Sequence, residues 1–74
     1  MDASEGPRLE PLERLVLELG AEGRSTLEIS ERLGVPLDRV RAHTQAAISK
    51  LHARSKLEAL IIAIRHGIIG PPTG

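Results

Sequence analysis

Residues 25–51 read STLEISERLGVPLDRVRAHTQAAISKL, and three letters in the middle, Gly34, Val35 and Pro36, decide the fold. Upstream, Ser25 and Glu28 have the S-x-x-E spacing in which each side chain caps the other's backbone N–H, so a helix opens after Ser25. That helix is expected to bury Leu27, Ile29 and Leu33 and to stop at Gly34, the residue type that most readily ends a helix. Downstream, a helix starting near Pro36 places Val40, Thr44, Ala47, Ile48 and Leu51 on one face within about 100° of a 3.6-residue wheel. A connection this short imposes a sharp angle between the two helices and excludes an antiparallel hairpin.

Two further helices flank the pair. Pro11 suits the first position of a helix running to about Glu22, with Leu12, Leu15, Val16 and Leu19 on its inner stripe and Gly23 as its stop. Ser55 and Glu58 repeat the capping spacing and open a fourth helix. It is expected to turn Leu57, Leu60, Ile61 and Ile64 inward and to end at Gly67. Period-two alternation is absent, so no strand is expected. The fold class is therefore all-α: a four-helix, bundle-like helix-turn-helix domain over 9–69, with loose tails at 1–8 and 70–74.

In a helix-turn-helix the second helix of the pair enters the DNA major groove and the first crosses the backbone. The outer face of the 36–53 helix suits that task. Ala42 and Ala46 are small enough for the helix to approach base edges. Arg41 can give two hydrogen bonds to a guanine and Gln45 two to an adenine, with Arg39 beside them. Phosphate holds would come from Lys50, Arg54 and the N–H groups at the capped start of the second helix, near Ser25 and Thr26. The bland alternative is a solubilising surface whose alanines serve helix propensity.

The chain has 74 residues, a length that one small core uses up, which excludes a two-domain enzyme. It has no cysteine and no aromatic residue, so disulfides and thiolate metal sites are excluded and Leu, Ile, Val and Ala build the core. Ten basic and ten acidic residues give zero net charge. That zero is a cancellation. Residues 1–38 hold nine acids against four arginines, a balance of −5, and residues 39–74 hold six bases against Glu58, a balance of +5. Such asymmetry can orient a small domain on a polyanion.

The sequence resembles the LuxR-type (GerE-like) helix-turn-helix domain from Leu9 to Ile69. The family's opening, L-T-x-R-E-x-x-V-L-x-L, is echoed by LEPLERLVLEL, with Leu9, Pro11, Glu13, Val16, Leu17 and Leu19 in place. Its G-x-[ST]-x-x-E-I-A-x-x-L-G segment is matched by Gly23, Ser25, Glu28, Ile29, Leu33 and Gly34, with Ser30 replacing the alanine. Its V-[KR]-x-H-x-x-x-[IA]-x-x-K-L pattern is matched by Val40, Arg41, His43, Lys50 and Leu51, with Ala47 at the [IA] place and Ile48 following it. The closing SKLEALIIAIRHGII resembles the fourth helix.

The resemblance implies a bacterial transcription regulator that binds double-stranded DNA as a homodimer, with RNA polymerase as a further partner. Arg41, Ala42 and Gln45 fall where the family contacts bases, and His43 and Lys50 where it touches the backbone. Three departures stand out: Pro36 replaces the family's N-cap serine, Arg39 its threonine and Leu12 its arginine. Loss of the cap hydroxyl weakens the start of the third helix by ~1 kcal/mol.

Region four of sigma factors, which 33–51 also resembles, is a second reading; it usually ends soon after the recognition helix. A third is a DNA-independent protein-interaction module. On the fourth helix, Ala59, Ile62, Ala63 and His66 lie off the expected inner stripe and form the expected dimer interface. His43 and His52 are nine residues apart, about 900° of helical rotation, so they cannot share a metal, and His43 reads as a phosphate donor or a packed polar group. No catalytic constellation, cofactor, metal or small-molecule site is expected. No signal peptide or membrane-length apolar run is visible, so a cytoplasmic protein is expected; the resemblance implies a bacterial one, associated with the nucleoid.

Overall fold

The computed structural model describes residues 8–71, and four helices follow in order: α1 (Pro11–Ala21), α2 (Thr26–Leu33), α3 (Leu37–Lys50) and α4 (Lys56–Arg65). There is no strand among the described residues. Apart from Arg8, Gly70 and Pro71, the expected tails lie outside them. Local chemistry sets the helix ends. Glu10 N–H donates to the Glu13 carboxylate at 2.8 Å in front of α1. Before α2 the reciprocal cap is complete: Glu28 N–H donates to Ser25 Oγ at 3.1 Å and Ser25 N–H to Glu28 Oε1 at 2.8 Å. Before α4 the reciprocity is shifted by one residue. Glu58 N–H still donates to Ser55 Oγ, but the Glu58 carboxylate takes the N–H of Arg54 and not that of Ser55.

The turn between α2 and α3 forms as the sequence requires. Gly34 has φ 66 and ψ 32, left-handed values that let its N–H return to the Ser30 carbonyl and end α2. Pro36 stands at the head of α3 without a side-chain cap. The α3 face is as expected: Val40, Ala47 and Leu51 are buried, and Thr44 and Ile48 half-buried.

The core has two compartments on either side of α1. Val16 and Leu19 pack with Ile29 of α2 and Val40 of α3. Leu17 packs with Ala47, Leu51, Ala59, Ala63 and Ile69. Adjacent residues of α1 thus serve different neighbours, which widens its buried face beyond one stripe: Leu17 is fully buried while Leu15 is exposed. On α2 the core residue is Ile29, and Leu27, expected inside, lies in solvent.

On α4 the expected inner stripe holds for Leu60 and Ile64, half-buried against the core, and fails for Leu57 and Ile61. Ala59 and Ala63 are fully buried, whereas Leu57 and Ile61 are 67% and 46% exposed. Small side chains one turn apart let α4 seat closely on Leu17, Ala47 and Leu51, so the alanine side of the helix turns inward. A close helix contact selects small residues at its centre and seats Leu60, Ile62 and Ile64 around them, which leaves Leu57 and Ile61 outside.

Candidate nucleic-acid interface

Three segments meet at one surface groove of about 490 Å³. Thr26 comes from the capped start of α2, Arg41, Thr44, Gln45 and Ile48 from the outer flank of α3, and Arg54, Ser55 and Lys56 from the turn into α4. Arg41 and Gln45, and Thr44 and Ile48, are i,i+4 pairs, so α3 presents a ladder to the groove. Three cations border it and no carboxylate does.

Of the four expected base-reading residues, Arg39, Arg41, Ala42 and Gln45 are all exposed on α3, and Arg41 and Gln45 face this groove. Among the expected phosphate contacts, Thr26 and Arg54 line it, and Ser25 lies exposed beside Thr26 at the start of α2. The Arg54 guanidinium approaches the Glu58 carboxylate at 3.7 Å, but its side chain is 91% exposed and free to reorient.

Lys50 and His43 sit differently. Lys50 Nζ donates to Glu13 Oε1 at 2.8 Å, which ties the end of α3 to α1 across 37 residues of sequence. Glu13 is 4% exposed, the buried charged residue of the core. Burial alone would push its carboxyl up. The hydrogen bonds from Lys50 and from the Glu10 backbone, with the charges of Lys50 and His43, outweigh that effect and hold it below the usual 4.5. An ammonium has three N–H donors, so Lys50 retains two for another acceptor. His43 is half-buried, and its Nε2 is enclosed and makes no hydrogen bond among the described residues. Of its two sequence readings, the packed polar group fits this placement; Nε2 is not presented to a phosphate.

The expected dimer surface also changes. Ala59 and Ala63 belong to the core and Ile62 packs half-buried against it, which leaves His66 alone fully on the surface. The apolar residues that α4 exposes are Leu57 and Ile61, with Ile64 half-buried beside them.

Thr44, Ile48, Ser55 and Lys56 line the groove but were not among the expected contacts. Thr44 and Ile48 read as core because they border the apolar stripe; they form the seam between core and groove. Ser55 and Lys56 were legible as a capped helix start, but their nearness to α3 depends on how the chain turns at His52–Arg54.

A sharp α2–α3 turn with an exposed, partly basic second helix defines a helix-turn-helix domain of DNA-binding transcription regulators. The comparisons with known proteins identify the branch. The chain belongs to the bacterial regulatory proteins of the luxR family, whose model matches residues 8–63. It is 39% identical over 64 residues to the transcriptional activator protein BjaR1 of Bradyrhizobium diazoefficiens, a match covering 86% of this chain and 26% of that protein. The chain thus spans about a quarter of the length of that relative. Its fold is similar to that of the transcription factor GerE, with a TM-score of 0.81 at 29% identity over 84% of this chain and 92% of that one. The family is one of transcription regulators and not an enzyme class. No helix among the described residues is long and apolar enough to cross a membrane.

Proposed function

We propose that the domain binds double-stranded DNA sequence-specifically, with α3 in the major groove and two copies joined through α4. The observation that carries this reading is the groove itself, where Arg41 and Gln45 of α3 lie between the capped start of α2 and the cationic turn before α4. Arg41 and Gln45 have the side-chain geometry to pair with base edges, and Arg39 and the small Ala42 continue the reading face. Ser25, Thr26, Arg54 and the free donors of Lys50 hold phosphates; Lys56 joins them at the groove wall. The dimer contact is moved from the Ala59–Ala63 side of α4 to Leu57 and Ile61, since those are the exposed apolar residues. RNA polymerase is the further partner, a reading supported by a relative named as a transcriptional activator. Its place is the bacterial cytoplasm, at the nucleoid.

Selection of genomic fragments by the purified protein tests the reading. The recovered fragments should converge on a motif with two-fold symmetry. With Lys50, Arg54 and Lys56 each neutralising a phosphate in both copies, log affinity should fall with log salt at a slope of about −5. Arg41→Ala should relax preference at one base pair of each half-site by about ten-fold or more, leaving affinity for scrambled duplex within a few-fold. Failure to retain any duplex at low salt would transfer the chain to the protein-interaction reading.

A further inference from the structure

Both backbone polar groups of Val35 are taken by one residue. Val35 N–H donates to the Ser30 carbonyl at 3.1 Å, and the Ser30 hydroxyl donates to the Val35 carbonyl at 2.6 Å. The same Ser30 carbonyl accepts the Gly34 N–H that ends α2. Val35 carries the peptide bond to Pro36, whose carbonyl accepts the first α3 bonds, from Arg39 at 2.9 Å and Val40 at 3.0 Å. Pro36 gives α3 no side-chain cap. The hydroxyl that serves this turn therefore stands on α2, and it donates to the peptide that leads into α3.

We propose that Ser30 is a positioning residue for the reading face: its hydroxyl holds the Val35–Pro36 peptide and so sets the angle of α3, replacing the cap that Pro36 cannot provide. The proposal rests on the DNA-binding reading above. Gln45 lies nine residues beyond Pro36, about 13 Å along the helix axis, so a swing of about 10° at the turn moves it by about 2 Å. A base-edge hydrogen bond does not survive that displacement, whereas a phosphate contact through a long flexible side chain does. Loss of the Ser30 hydroxyl should therefore reduce discrimination more than general affinity.

The test compares the full chain with Ser30→Ala, Ser30→Thr and the double variant Ser30→Ala with Pro36→Ser. Fluorescence anisotropy at one salt concentration would use the duplex recovered by genomic selection and a scrambled duplex of equal length. Ser30→Ala should lower the preferred-to-scrambled affinity ratio by about five-fold, the scale of one hydrogen bond, with scrambled affinity within two-fold of wild type. Ser30→Thr, which keeps the hydroxyl, and the double variant, which returns a cap to α3, should both recover most of the ratio. Ser30→Cys keeps the volume and offers only a weak donor, and it carries the same expectation if Ser30→Ala loses its helical circular dichroism. A wild-type protein that prefers neither duplex defeats the DNA reading and the proposal with it. If the wild type discriminates and the hydroxyl-free variants discriminate equally, or lose both affinities alike, the proposal alone is overturned.

Discussion

His52 stands at φ 55, the one non-glycine residue with positive φ among the described residues. Its position explains why. His52 N–H donates to the Ser49 carbonyl and Ala53 N–H to the Ile48 carbonyl, both at 3.0 Å, and this closure of α3 requires a left-handed residue between them. A side chain in that conformation costs roughly 1–2 kcal/mol, which glycine avoids, although glycine gives part of the gain back through its freer unfolded chain. His52→Gly should stabilise the domain by about 0.5–1 kcal/mol. In a chain of this size that raises the thermal midpoint by about 3–6 °C, measured by circular dichroism. A midpoint at or below that of the wild type would mean that the imidazole contributes contacts outweighing the backbone strain. Because His52 lies outside the groove, DNA affinity should stay within two-fold.

At the scale of elements, α1 and α3 are joined by a charge as well as by packing. The Glu13 carboxyl titrates below its usual 4.5, so the folded state binds its proton less readily than the unfolded chain does. Its contribution is complete above about pH 4.5 and is lost as pH falls through the lowered value. Glu13→Gln keeps the shape and an acceptor but removes the charge facing Lys50. It should cost about 1–2 kcal/mol at pH 7, at the lower end for a charged hydrogen bond because the Lys50 side chain is 38% exposed. Urea unfolding across pH should show the gap from wild type narrowing below about pH 4.5. A gap that stays constant throughout the acid range, with no narrowing as pH falls, would assign the loss to packing. Elements also show where sequence reading stops. Ser25 with Glu28, Gly34 and Ser55 are local signals acting within five residues, so the four helices and the sharp turn were legible, and with them Arg41 and Gln45 on an exposed face. The Glu13–Lys50 tie links positions 37 apart and left no local trace. Leu60 and Ile64 of α4 were legible, but the centre of its inward face was not, because Ala59 and Ala63 are selected by the closeness of the helix contact, a property of the packed state.

Over the whole molecule, the zero net charge and the small size bear on the same question of how much binding one copy supports. With no excess of positive charge to draw it onto DNA, the domain should hold nonspecific duplex weakly, and a second copy on a two-fold site is the route to tight binding. The surface available for that copy is the outer side of α4, where Leu57 and Ile61 stand in solvent on a chain of 8.0 kDa. Two neighbouring substitutions separate the proposed contact between copies from the core. Ile61→Glu places a charge on the exposed face; it should leave the thermal midpoint within about 4 °C of wild type, since surface changes rarely exceed ~0.5 kcal/mol. In analytical ultracentrifugation it should sediment as a single chain at concentrations where the wild type sediments as two. Its affinity for the selected two-fold duplex should fall at least ten-fold. Ile62→Glu puts the same charge into a half-buried position against the core, and should lower the midpoint by about 10 °C or more, in line with the cost of burying an unpaired charge. Should Ile61→Glu sediment like the wild type while remaining folded, α4 would be excluded as the contact between copies.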